Sequence, residues 1–222
     1  MKKVLLSVVS LLFVLCILAG NTLAYSNKNY SIDVPSKYQK YHEGDTTVSF
    51  MCDNTKQLGI SVLDTSEKED EAKLVKDILD GKKDVKKMVD YLLDENPDMT
   101  EDNIKKSEII SISENKYDAI HIAMEEEKSG KTGYYHAYMM LTDDHIYMIT
   151  FVSIDEDMAK SSDIKDALDS FEIKNEEVYS SKNKKDSKKD NNTILYVAII
   201  AGAVVLITLV LGIIIAICAK KK

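Results

Sequence analysis

Alternating apolar and polar positions predict that the first part of the chain is β-structure. This alternation predicts a strand at Tyr30–Val34, ended by Pro35, and a hairpin formed by Val48–Cys52 and Leu58–Leu63. The polar segment "SKYQKYHEGD" between them shows no such alternation and is predicted to be a loop. We therefore expect short strands joined by polar turns before residue 65.

A helical period replaces the alternation after this point. Apolar residues recur at helical spacing in Ala72–Leu79 and Val85–Leu93, with Gly81 between the two runs, Asp84 placed as an N-cap, and Pro97 beyond them. The pattern predicts two consecutive helices or one kinked helix. Near the end of the domain a last helix is predicted from a stripe of apolar residues: Met158, Ile164, Ala167, Leu168 and Phe171.

Between these helical stretches, four alternating segments predict an antiparallel meander. They are Glu108–Ser113, Tyr117–Glu125, Tyr134–Thr142 and His145–Ser153. If Glu125 pairs with Tyr134 and Thr142 pairs with His145, neither face of the meander is polar. Both faces then need a cover. The predicted fold class is α+β, with a central antiparallel sheet and helices on both faces.

The same register brings chemistry-bearing side chains together. His121 and His136 share one face of the predicted sheet with Tyr138 and Tyr147, and the one carboxylate noted there, Glu125, lies at its end. Two imidazoles among tyrosines could bind a metal or a polar ligand, although such amphipathic side chains more often line a half-covered sheet face. These two histidines and two tyrosines are the candidate ligand-binding residues. We predict no catalytic residue, no metal site and no cofactor.

The order of the elements resembles that of the Mog1/PsbP-like fold. The opening "YSIDVPSKY", the hairpin, the helical insert, the meander and the closing "IKDALDSFEI" carry the resemblance, over roughly residues 29–173. Bacterial exported PsbP-like domains share this fold with the PsbP subunit of the photosynthetic oxygen-evolving complex. The resemblance implies a domain that acts in binding and assembly rather than in catalysis.

Both ends of the chain carry apolar segments. Lys2 and Lys3, an apolar run to Leu18 and small residues up to Ala24 are typical of a secretory signal peptide, with cleavage expected before Tyr25. Residues 194–219 carry no charge, and as a helix they would be roughly 39 Å long, enough to cross a bilayer. The predicted organisation is a signal peptide at 1–24, an extracytoplasmic domain at 25–178, a lysine-rich flexible tether at 179–193, a transmembrane helix at 194–219 and cytoplasmic lysines at 220–222.

This order predicts a single-pass protein of the cell membrane, with its domain on the extracytoplasmic side. Within the predicted span, Ala198 with Gly202 and Gly212 with Ala216 have the spacing of small residues at helix–helix contacts. A weak homodimer through the span is compatible with this spacing.

Charge narrows the set of partners. The whole chain has a net charge of −8, and residues 25–178 hold 35 Asp and Glu against 19 Lys, a net of −16. An acidic domain argues against binding to nucleic acid. The predicted function is a non-catalytic, membrane-anchored binding or assembly module that engages a protein partner or an envelope ligand. The alternative is an envelope enzyme, or a metal or small-ligand binder, that uses the sheet face of His121, His136 and Tyr138.

Overall fold

The computed structural model describes residues 22–179, apart from residues 98 and 115. Most of the predicted signal peptide, the tether beyond residue 179 and the predicted transmembrane helix lie outside the described residues. Within the described part, no helix is long and apolar enough to cross a membrane. The elements are β1 (Thr22–Ser26), β2 (Tyr30–Pro35), β3 (Gln39–Glu43), β4 (Thr47–Cys52), β5 (Lys56–Asp64), α1 (Glu69–Leu79), α2 (Lys86–Glu95), a 3₁₀ turn (Glu101–Asn103), β6 (Ile104–Ile112), β7 (Tyr117–Lys128), β8 (Lys131–Leu141), β9 (His145–Ile154), α3 (Ser162–Ser170) and β10 (Glu172–Ile173).

Two antiparallel sheets form the framework. The larger has seven strands in the order β3-β4-β5-β9-β8-β7-β6, and the smaller has three in the order β1-β2-β10. The predicted strand at Tyr30–Val34, which includes Pro35 in the structure, the β4–β5 hairpin and the four-stranded meander are all present. The helical stretch after residue 65 forms two helices, which resolves the choice between two helices and one kinked helix.

The predicted register of the meander is confirmed. Glu125 pairs with Tyr134, and the backbone N–H of Thr142 donates to the carbonyl of His145 at 2.9 Å. One face of the meander packs with residues of α1 and α2, whereas the other lies in a core with residues of α3 and of the smaller sheet. The prediction of helices on both faces is therefore incomplete, because the second face is covered by a sheet as well as a helix. The alternation in β2 predicts a strand but not the sheet that the strand joins.

The segment predicted to be a polar loop contains an edge strand. All five residues of β3 are exposed, yet the strand pairs with β4 and has an irregularity between Lys40 and His42. A strand that buries neither face has no hydrophobic alternation, so the sequence pattern contained no signal for it. Its charges and its bulge are features that protect sheet edges from further pairing.

Strand β1 begins three residues before the predicted start of the domain. Thr22, Leu23 and Ala24 pair with β2, although the sequence places them in the signal peptide. Tyr25 then connects the two sheets, because its ring packs edge-on against Phe50 at 5.3 Å between centroids and its hydroxyl donates to Glu43 at 2.7 Å.

The last described residues form a strap across one end of the larger sheet. Val178 forms an isolated antiparallel bridge with Thr142, and the N–H of Tyr179 donates to the carbonyl of Leu141 at 2.7 Å. The hydroxyl of Tyr179 donates to the carboxylate of Asp80, just after α1. The chain thus leaves the described domain beside β8 and α1.

Gly59 marks a close approach between β5 and β9, and it generates a prediction. It pairs with Thr150, and a Cβ added at this glycine would lie 2.7 Å from Thr150 Oγ1, closer than packing tolerates. We expect Gly59→Ala to lower the free energy of unfolding by about 1–3 kcal/mol, the usual cost of overpacking, in urea denaturation. Adding Thr150→Ala should recover part of the loss. Strictly additive effects of the two substitutions would contradict the contact.

Candidate functional site

Adjacent strands bring the two predicted histidines into contact. His121 lies on β7 directly opposite Tyr138 of β8, and the two rings stack almost parallel, 4.5 Å apart between centroids and 2° between planes. His136 lies two residues before Tyr138 on β8, and its Nδ1 is 3.2 Å from Nε2 of His121. The structure therefore joins three of the four candidate residues in one group.

Two carboxylates that the sequence analysis missed complete this group. Glu108 Oε1 lies 3.2 Å from Nδ1 of His121, and Asp157 Oδ1 lies 3.0 Å from Nε2 of His136. We call Glu108–His121–His136–Asp157 the imidazole chain. Glu108 is the β6 partner of His121, so extending the meander register by one strand would have found it. Asp157 comes from the loop between β9 and α3, for which strand periodicity carries no signal.

Burial and neighbouring charges shift the pKa values of His121, Glu108 and Asp157. His121 and His136 are only 6% and 5% exposed. Burial lowers the pKa of His121, and its hydrogen bond with Glu108 opposes that shift. For Glu108, burial raises the pKa, but hydrogen bonds from Lys106 and His121 outweigh it and the net shift is downward. The pKa of Asp157 is also lowered, since its bonds with the Ala159 N–H and with His136 outweigh burial.

Tyr147 belongs to a different cluster on the same face. Its hydroxyl donates to Glu176 Oε1 at 3.0 Å, and Nδ1 of His145 lies 2.8 Å from the same oxygen. Its ring packs edge-on against Tyr30 and Phe171. The contacts of Tyr147 thus anchor the C-terminal strap to the core, and the structure does not bring this tyrosine to the imidazole chain.

An open depression of about 270 Å³ lies beside the imidazole chain. His121 and Tyr138 contribute to its lining, together with side chains from β6, the outermost strand of the larger sheet, and from α3. The lining mixes apolar and charged groups, among them Lys106, Glu108, Ile110, Ile164, Lys165 and Leu168. Such a surface offers apolar contact together with oriented charges, as small-molecule and peptide sites do.

The two imidazoles are arranged for a hydrogen bond rather than for a metal ion. Their ring centroids are 5.5 Å apart and their planes differ by 18°. This separation equals the 3.2 Å between nitrogens plus the centre-to-nitrogen distance of each ring, so the rings lie end to end and their facing nitrogens point at each other. A metal on that line would need about 4 Å between nitrogens, given about 2.0 Å for each bond. Among the residues that the structure describes, no group of three His, Cys, Asp or Glu is placed to hold a metal ion.

Comparison with known proteins gives a limited likeness. No family model and no curated protein matches the chain. A solved structure of a protein from Bacteroides thetaiotaomicron is similar with a TM-score of 0.44 and 14% identity over 70% of this chain and 48% of that one, so this chain spans about half its length. A mutant of the protein Mog1 is similar with a TM-score of 0.41 and 10% identity over 69% of this chain and 96% of that one. With both TM-scores below 0.5, the fold class rests on the strand order and helices described above, which define an α+β protein built on antiparallel sheets.

Double substitution of the histidines tests their coupling. Either His121→Phe or His136→Phe leaves a buried ring nitrogen of the other histidine facing hydrocarbon, which should cost about 1–3 kcal/mol of unfolding free energy. We expect the double variant to lose less than the sum of the single losses, because it removes both ends of the N–H···N bond at once. Urea denaturation of the four proteins gives the coupling.

His42 provides the control for this cycle. It lies on the exposed strand β3, so His42→Phe should hardly change the free energy of unfolding. Its effect should be additive with that of His121→Phe or His136→Phe. Additive losses for His121→Phe and His136→Phe would show that the two rings do not stabilise each other.

Proposed function

We propose that the protein is a non-catalytic, membrane-anchored binding module that engages a protein partner or an envelope ligand on the extracytoplasmic side. The observation that carries this proposal is the open depression of about 270 Å³ between β6 and α3, at a free edge of the larger sheet. The Mog1/PsbP-like resemblance, which implies binding and assembly, supports the same role.

The β6 edge is suited to an added strand of a partner. Within residues 22–179 this strand pairs only with β7, so its other side presents backbone donors and acceptors. Ile109 is 44% exposed on one side of the strand, and Ile110 lines the depression on the other. An extended segment that pairs with β6 would gain main-chain hydrogen bonds and place alternate side chains on both sides of the edge. By contrast, β3 at the opposite edge is fully exposed and polar apart from Tyr41.

The arrangement of the imidazole chain favours binding over catalysis. Each of the four ring nitrogens of His121 and His136 already contacts a protein group, and both rings are buried. A general base must reach the proton that it removes, and here no ring nitrogen faces the depression unpartnered. The second interpretation, an envelope enzyme or metal binder on this face, therefore gains no support from the geometry.

The anchoring part of the proposal rests on the sequence. The signal peptide, the span at residues 194–219 and the terminal lysines predict the topology, and the strap at Val178 and Tyr179 is where the described chain would lead into the tether. The rest of the predicted tether, residues 180–193, would keep the domain near the membrane. The weak homodimer through the span stays a prediction of the small-residue spacing.

Site-specific photo-crosslinking in cells tests the docking surface. A photoreactive amino acid would replace Ile109 on the β6 edge of the full-length protein, and Tyr41 on the β3 edge in a matched variant. Tyr41 is 65% exposed and Ile109 44%, so accessibility alone favours the control position. We expect a defined adduct from position 109 and a several-fold weaker one from position 41, measured by immunoblot and mass spectrometry.

A charge reversal links the adduct to the depression. Lys165 is exposed on α3 and lines the depression, so Lys165→Glu should reduce the yield from position 109 without unfolding the domain. Lys131→Glu, on β8 away from this lining, serves as the charge control. Equal adduct yields from positions 109 and 41, or a yield from position 109 that Lys165→Glu leaves unchanged, would show that the depression is not the docking surface.

A further inference from the structure

We propose that the imidazole chain is a binding site for one proton, shared between His121 and His136, that clamps the β9–α3 loop against the sheet. The proposal takes from the proposed function only the identification of the depression as the docking surface. The ligand is the proton itself, and the four side chains of the imidazole chain hold it.

The number of N–H donors shows how many protons the imidazole chain requires. Three contacts connect the four groups: Glu108 to His121, His121 to His136, and His136 to Asp157. Two neutral imidazoles supply only two N–H donors, so one contact would place a lone pair against a lone pair or a carboxylate. One additional proton supplies the third donor, and a further proton would set two N–H groups against each other. The contacts are therefore all satisfied when the pair carries one positive charge.

The positions of the groups indicate which ring carries the charge. His121 stacks face to face with Tyr138, burial lowers its pKa, and its carboxylate partner Glu108 is already paired with Lys106 at 2.7 Å. The shared proton accordingly resides on Nδ1 of His136, which donates it to Nε2 of His121. Nδ1 of His121 then donates to Glu108, and Nε2 of His136 donates to Asp157.

The carboxylates at both ends of the imidazole chain favour one positive charge on the pair. Lys106, which contacts Glu108 at 2.7 Å, opposes that charge and adds to burial in lowering the pKa of His121. Lys160 lowers the pKa of Asp157 from the loop side. On α3, Lys165 and Asp169 form an ion pair, so they add little net charge to the depression. Proton exchange with solvent proceeds through Asp157, whose side chain is 54% exposed against 34% for Glu108.

The clamp follows from the second role of Asp157. Its Oδ1 accepts from the backbone N–H of Ala159 at 2.8 Å as well as from His136. Two residues further on, Ser161 caps α3 by accepting from the N–H of Asp163. Because α3 lines one side of the depression, the loop that Asp157 attaches to the sheet also sets the position of that side. Loss of the shared proton breaks the contact between the two rings and removes the positive charge that strengthens the His136–Asp157 hydrogen bond, which weakens this attachment.

Nitrogen NMR on the full-length chain tests the shared proton directly. With ¹⁵N-labelled histidine and the protein in detergent micelles at neutral pH, we expect a scalar coupling across the hydrogen bond between Nε2 of His121 and Nδ1 of His136. We also expect three ring N–H protons for the pair. Raising the pH should abolish the coupling and one N–H signal together. Over the same pH range, amide protection at Ala159 and Ser161 should fall by about tenfold beyond the intrinsic pH effect, because the His136–Asp157 bond loses its charge assistance.

Two carboxamide substitutions supply the matched comparison. Asp157→Asn keeps an acceptor for His136 but removes the charge, so the shared proton should be lost at lower pH. Glu176→Gln alters the other carboxylate–histidine contact, at His145, and should leave the coupling between His121 and His136 unchanged. If no coupling is found at any pH, or if the pair carries two ring N–H protons at neutral pH, the shared proton does not exist.

The two proposals fail separately. A scalar coupling between the two histidines without position-dependent crosslinks would support the proton site and contradict the docking surface. Crosslinks without a coupling would keep the docking surface and remove the proton site.

Discussion

The rest of the structure depends on the burial of both faces of one antiparallel sheet. Strands β7, β8 and β9 carry apolar residues on each side, so neither side can face water without a large loss of hydrophobic stabilisation. Helices α1 and α2 cover one side, and α3 with the smaller sheet covers the other. The order of elements in the chain follows from this requirement, because the covers come from segments before and after the meander.

Burial on both faces also explains the form of the imidazole chain. A polar group in such a core must have partners, because an unsatisfied buried donor or acceptor costs about 1–3 kcal/mol. Throughout the described part of the chain, no buried side-chain nitrogen or oxygen lacks a hydrogen-bond partner. His121 and His136 lie on a largely hydrophobic face. Their ring nitrogens form hydrogen bonds with each other and with carboxylates from β6 and the β9–α3 loop. The same requirement that stabilises the core therefore creates a group of four coupled ionisable side chains.

What the sequence predicted well is what depends on short-range periodicity. The two-residue period of strands, together with short turns, was enough to suggest the pairing of Glu125 with Tyr134 and to place His121 and His136 on one face, but not to predict that their rings touch. Strand β3 was not predicted because its exposed residues show no hydrophobic alternation. Asp157 was not predicted as part of the site because a loop has no periodic pattern. Tyr147 was on the predicted face but contacts Glu176, a residue brought there by the long-range return of the chain after α3. Contacts made by loops and by non-local returns depend on the whole fold, which one-dimensional patterns do not encode.

The strap that ends the described chain defines a mechanical path. Tension applied beyond residue 179 would reach Tyr179 first and then the bridge between Val178 and Thr142. The next contact is the carboxylate of Glu176, which is hydrogen-bonded to Thr142, His145 and Tyr147. The load would enter at the turn between β8 and β9 and at the end of α1, and not at β6 or α3. Tension at this end would therefore detach the strap before it strained the depression between β6 and α3.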